Sequence, residues 1–91
     1  MSVKVRAFYP ELQRLTGGSD EIRVDGATVG ECLADLVRQY PGVGGLIFDG
    51  RGELLKPVYV FVNRESMFKA DFARTVTDKD ELILAVLATG G

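Results

Sequence analysis

Between Thr28 and Tyr40 the apolar residues Val29, Cys32, Leu33, Leu36, Val37 and Tyr40 recur at spacings of three and four. Such spacing lines one side of an α-helix and leaves the other side polar. Thr28 and Glu31 fit a capping box, in which the hydroxyl and the carboxylate each meet an orphan backbone N–H. Pro41-Gly42 stops the run. A helix over about 28–40 is marginal in isolation and has to lay its apolar side on other structure. With 91 residues the chain makes one domain with one core, so the remaining segments must supply that surface.

Those segments read as strands. Val3, Val5 and Ala7 alternate with Lys4, Arg6 and Phe8, the period of a strand with one buried side, and Pro10 ends it. Gly17-Gly18-Ser19-Asp20 is turn chemistry, and Glu21 to Asp25 alternates again, which predicts a hairpin with a long loop over residues 2–25. Glycines crowd residues 42–56 around Val43, Leu46, Ile47 and Phe48, a loop with a short buried helical turn. Pro57 opens the apolar strand Val58 to Val62, and Asn63 to Ser66 turns into a short edge segment near Met67-Phe68. Thr77-Asp78-Lys79-Asp80 is a tight turn before the continuous apolar run Glu81 to Leu87, which suits a central strand. The order ββαβ(β)β predicts an α+β fold of the ubiquitin-like β-grasp kind: a four- to five-stranded mixed sheet, one main helix on one face, and first and last strands parallel at the centre. The domain is expected over 1–87, with residues 88–91 as a flexible tail.

Composition narrows the chemistry. Eleven Lys and Arg against 13 Asp and Glu give a net charge of −2, and the basic residues are scattered, so no nucleic-acid footprint is expected. No apolar segment is long enough to span a bilayer, and Met1-Ser2-Val3-Lys4 leads directly into alternating residues, so no membrane association is expected and the compartment is taken as cytoplasmic. Histidine is absent and Cys32 is alone, which removes histidine acid–base catalysis, most zinc sites and iron–sulfur clusters. No metal or cofactor bound by the chain is expected. Cys32 lies on the apolar side of the helix and is read as an inert core thiol. Gly42-Val43-Gly44-Gly45 follows a helix rather than a strand, and so is a flexible loop rather than a phosphate cradle. The pairs Asp78/Asp80 and Glu21/Asp25 are read as turn and surface groups with no partner to tune them. No serine sits in the helical setting that an acyl carrier would need.

The chain ends Ala88-Thr89-Gly90-Gly91. A glycine pair packs nothing and orders at high entropic cost, but it makes a thin tail able to thread a carboxylate into another protein. Together with Val60-Phe61-Val62-Asn63 and Val76-Thr77-Asp78-Lys79-Asp80-Glu81-Leu82, this ending resembles the MoaD/ThiS family of sulfur carrier proteins over nearly the whole chain. Two departures stand out: Lys79 replaces a usual glycine in the turn, and Ala85 to Ala88 stands where Pro-Pro or Pro-Ala is frequent. The Gly42–Lys56 insert and the Leu15-Thr16-Gly17-Gly18 loop look more like the carriers of bacterial cysteine synthesis.

The resemblance implies a carrier that is not itself an enzyme. An E1-like adenylyltransferase would use ATP to adenylate the Gly91 carboxylate, and a sulfur donor would convert it to a thiocarboxylate. Gly90 gives clearance in the channel. A downstream sulfur-accepting enzyme would consume the sulfur. It would be cysteine-synthase-like, or the large subunit of molybdopterin synthase with this chain as the small one; thiamine synthesis is the less favoured destination. The rival reading is a non-catalytic β-grasp interaction module with an incidental Gly-Gly end.

Strand sidedness adds a surface. With Val3, Val5 and Ala7 facing the helix, Lys4, Arg6 and Phe8 face away, and Tyr59, Phe61, Ile83, Ala85 and Leu87 are expected on the same helix-free face. An apolar patch of that kind marks a partner surface unless loop 42–56 or 63–76 covers it. Arg6, Phe8, Tyr59, Phe61, Leu87 and Thr89 are the candidate contacts.

Overall fold

The computed structural model describes residues 2–8, 10–17, 21–55, 58–68 and 71–86. In chain order the elements are β1 (Ser2–Phe8), α1 (Pro10–Leu15), β2 (Glu21–Asp25), α2 (Val29–Gln39), α3 (Val43–Ile47), β3 (Val58–Val62), β4 (Glu65–Met67) and β5 (Glu81–Val86). The strands form one five-stranded sheet in the order β2-β1-β5-β3-β4. β5 is central, parallel to β1 on one side and antiparallel to β3 on the other. The first and last strands thus meet at the middle of a β-grasp sheet, and α2 crosses one face.

Alternation explains which side the sheet buries. Val3, Val5 and Ala7 of β1, Ile22 and Val24 of β2, Val60 and Val62 of β3, and Leu82 and Leu84 of β5 share one core with Val29, Cys32, Leu33 and Leu36 of α2. Val37 and Tyr40 pack at its margin. The start of α2 is secured twice. Glu31 N–H donates to Thr28 Oγ1 at 3.2 Å, and Glu31 Oε1 accepts from Ala27 N–H at 2.8 Å, one residue before the cap. Carbonyls of a later segment take two more orphan donors: Val29 N–H donates to Arg74 O at 3.0 Å and Gly30 N–H to Phe72 O at 2.9 Å. At Gly26 a Cβ would lie 2.7 Å from the backbone nitrogen of Cys32, so only glycine lets β2 turn this closely into α2.

Two expectations are corrected here. The connection between β1 and β2 is not a plain loop, because Pro10 opens α1. Proline suits a first helical position, where its missing N–H would have no helical partner anyway. Leu12 is fully buried, and Gln13 Nε2 donates to Ala7 O at 2.8 Å, tying the helix to β1. Gly42-Val43-Gly44-Gly45 is likewise not a flexible loop but belongs to the short buried helical turn expected here, since Gly42 caps α3 and the other three residues lie within it. Val43 and Ile47 of α3, both fully buried, outweigh a helix cost of about 1 kcal/mol per glycine.

Candidate functional site

The helix-free face is built by strand register. Across β1, β5 and β3 the outward residues form rows: Arg6, Ile83 and Phe61 in one, and Phe8, Ala85 and Tyr59 in the next. Below them Lys4 sits beside Glu81, its Nζ 3.8 Å from Glu81 Oε2 and 3.8 Å from Glu21 Oε2. The Arg6 guanidinium lies 5.3 Å from the centroid of the Phe8 ring, a cation–π contact. Tyr59 and Phe61, two apart on β3, stack with centroids 6.1 Å apart and planes 14° off parallel. Ala85 is the smallest side chain of its row and stands on the central strand between two aromatic rings.

The four described candidates, Arg6, Phe8, Tyr59 and Phe61, are therefore brought onto one surface. Phe8 is 53% exposed, and Arg6, Tyr59, Phe61, Ile83 and Ala85 are each partly exposed. The remaining candidates, Leu87, Thr89, Gly90 and Gly91, lie outside the described residues. The last described pairing of β5 joins Val86 to Val58. Beside it a concavity of about 180 Å³ is lined by Leu54, Leu55, Val58, Tyr59 and Phe68.

A brace at the other end of β5 was not anticipated. Asn63 follows β3 with a φ of 58°, in the left-handed region that asparagine tolerates better than most residues. Its Nδ2 donates to Asp80 Oδ1 at 3.0 Å, and its Oδ1 accepts from Glu81 N–H at 3.1 Å. Asn63 N–H donates to Glu81 O at 2.8 Å. The expectation that Asp80 lacks a partner is thus corrected. The Asn63 amide first, then the Thr77 N–H at 2.8 Å, hold its carboxyl below the usual range. Two of the three sequence segments that carry the family resemblance meet in this brace, which sets where β5 begins. Among the described residues Asn63 is the one non-glycine with positive φ, so Lys79 needs no glycine geometry in its turn.

Asp35 is a second group that sequence reasoning missed. It is buried on the polar flank of α2 and accepts from Asp25 N–H at 2.9 Å, from Arg38 and from Gln39 Nε2 at 2.8 Å. The Asp25 N–H first, then the Arg38 and Gln39 side chains, lower its carboxyl to about 2. Cys32, fully buried, has its thiol pushed up to about 11, chiefly by burial and then by the charge of Glu31. It stays protonated and unreactive. Among the described residues no helix is long and apolar enough to cross a membrane.

A central parallel β1–β5 pair, a helix across one face and an aromatic-edged opposite face define a ubiquitin-like β-grasp protein. No protein-family model matches the chain. It is 29% identical over 79 residues to the sulfur carrier protein CysO of Mycobacterium tuberculosis, covering 84% of this chain and 85% of CysO. Among solved structures, the small archaeal modifier protein SAMP1 of Haloferax volcanii is 31% identical with a TM-score of 0.82, covering 100% of both chains. A chain in the BexX/CysO complex of Amycolatopsis orientalis is 28% identical with a TM-score of 0.82, covering 98% of this chain and 99% of that one. The chain belongs to the MoaD/ThiS-like family of ubiquitin-fold sulfur carrier proteins.

Proposed function

We propose that this carrier bears its sulfur on the Gly91 carboxylate. A carboxylate oxygen attacks the α-phosphorus of ATP on an E1-like adenylyltransferase, forming an acyl-adenylate and releasing pyrophosphate. A sulfide-class nucleophile then attacks the acyl carbon, AMP leaves with the bonding electron pair, and Gly91 becomes a thiocarboxylate. ATP belongs to the partner enzyme. The chain's own contribution is positional. Gly90 adds no Cβ to obstruct a narrow channel, and Arg6, Phe8, Tyr59 and Phe61 offer the aromatic and guanidinium groups that dominate contact surfaces.

The observation that carries this reading is the placement of β5. It is the central strand of the sheet, paired with β1 and β3, and its described residues run to Val86, after which the sequence runs Leu87-Ala88-Thr89-Gly90-Gly91. A rigid base directly before a thin end suits delivery of a terminal group. The CysO relatives favour a cysteine-synthase-like acceptor over the large subunit of molybdopterin synthase. The test is intact mass spectrometry after incubation with the cognate E1-like enzyme, ATP and sulfide. One oxygen should be replaced by sulfur, mapped to Gly91. An unchanged mass would instead support an interaction module whose glycine ending is incidental. Presenting the thiocarboxylate to each acceptor then identifies the pathway.

A further inference from the structure

β2 is an edge strand of five residues, with β1 on one side only. In an antiparallel pair each residue points its N–H and C=O to the same side, and successive residues alternate. The Arg23 carbonyl and the Asp25 N–H face α2 side chains. Glu21, Arg23 and Asp25 therefore present their backbone groups to the outer edge, and Ile22 and Val24 present theirs to β1. Such an edge is a template for another strand. The side chains of Glu21, Arg23 and Asp25 are exposed, on the face opposite the core residues Ile22 and Val24.

Their order is self-complementary. With β2 set antiparallel to β2 of a second copy and the two-fold axis at Ile22, Glu21 of one copy stands opposite Arg23 of the other. With the axis at Val24, Arg23 stands opposite Asp25. Opposite charges directly across two strands stabilise the pair, and like charges destabilise it. An axis at Arg23 would instead oppose Arg23 to itself and Glu21 to Asp25. Charge thus favours two registers, each closing as a symmetric dimer. Both need the Arg23 carbonyl as an acceptor, and the second also needs the Asp25 N–H.

Those two groups are the ones α2 occupies. Gln39 Nε2 donates to Arg23 O at 3.0 Å, and Asp25 N–H donates to Asp35 Oδ2 at 2.9 Å. Gln39 Nε2 also donates to Asp35 Oδ2 at 2.8 Å, and Arg38 holds Asp35 Oδ1, so the two blocking side chains are fixed to each other and to the helix. We propose that Gln39 and Asp35 are edge guards, which keep β2 from pairing with β2 of a second copy of this chain.

The experiment is sedimentation velocity of the full-length chain over a wide concentration range, with thermal unfolding of each variant to check folding. Gln39 is exposed at the last position of α2, so Gln39→Ala spares the core; it should lower the dimer dissociation constant at least about tenfold below wild type. Adding Asp35→Ala should lower it further, and if that double variant unfolds, Gln39→Ala alone decides. Gln39→Lys, which keeps a donor for the carbonyl, should sediment as wild type. Adding Arg23→Glu to Gln39→Ala sets like charges across both registers and should restore the monomer. Hydrogen exchange of the Gln39→Ala dimer should show new protection at the Arg23 amide. A folded Gln39→Ala as monomeric as wild type overturns the proposal, as does a Gln39→Lys that associates as strongly as Gln39→Ala. Association that survives Arg23→Glu, or that leaves the Arg23 amide exchanging freely, places the contact elsewhere and likewise overturns it.

Discussion

The two edges of the sheet are finished in opposite ways. At the β2 edge, α2 closes the strand with its own polar side chains: Asp25 N–H donates to Asp35 and Gln39 Nε2 donates to Arg23 O at 3.0 Å. Exposed edge groups invite pairing with other chains, and here the Asp25 N–H and the Arg23 carbonyl already have partners. At the opposite edge β4 is only three residues long and covers Val60 to Val62. Val58 and Tyr59 have no β4 residue opposite them, and Val58 N–H turns back to Leu55 O at 2.9 Å. What borders that end is Leu54, Leu55 and Phe68, not a hydrogen-bonding helix flank. The difference teaches where this small fold spends its polar side chains. They seal the edge far from the end of β5, and the accessible apolar surface gathers beside it.

The sharpest way to break this division is at the end of the chain. Deleting Gly91 should abolish ATP–pyrophosphate exchange while leaving stability within ±0.5 kcal/mol of wild type, the range of changes that touch no core. Full exchange by the deletion variant would show that another group is activated. On the sealed side the opposite pattern is expected. Leu36, fully buried on the core side of α2, should cost ~2–5 kcal/mol when changed to alanine, a large part of a typical ~5–15 kcal/mol stability. Exchange measured below its unfolding transition should keep the wild-type KM. A loss of stability within ~0.5 kcal/mol would mean that Leu36 does not face the core.

The smallest effect tests the seal itself. The folded Asp35 carboxyl is lowered to about 2 from an ordinary value of 3.8, so between those values the unfolded chain binds more protons than the folded one. Its stabilisation is therefore full above the unfolded value and is lost as pH falls through about 2. Asp35→Asn should be less stable than wild type at neutral pH, with the gap closing toward pH 2, as read by denaturant titrations across that range. Hydrogen exchange at the Asp25 amide should quicken in the variant. A gap of constant size at every pH would detach the seal from the Asp35 charge.

Much of this arrangement is legible in residue order, and the reason is local geometry. Spacings of three and four from Val29 to Tyr40 mark α2 and its C-cap, and alternation separates Val3, Val5 and Ala7 from Lys4, Arg6 and Phe8. The unbroken run after Glu81 places β5 at the centre. These patterns report which way successive side chains point, a property of neighbours in the chain. The shared surface of Arg6, Phe8, Tyr59 and Phe61 follows from the same alternation once the strand order is known. The helix α1 did not show itself, because six residues with Leu12 alone buried carry no period and Pro10 reads equally well as a stop.

Other features wait on chain closure. Asn63 meets Asp80 across 17 positions, and Asp35 meets the Asp25 amide across 10, contacts that no periodicity announces. Leu54, Leu55 and Phe68 likewise gather beside Val58 only after β3 pairs with β5. Residue order by itself determined the strands and the main helix α2, the buried side of each strand and the glycine ending, because side-chain direction repeats along a backbone of fixed geometry. Which polar groups pair, which edge is sealed and what borders the end of β5 were decided only by the tertiary structure. Hydrogen bonds and concavities form between surfaces that meet when the chain folds, and their energies depend on that meeting.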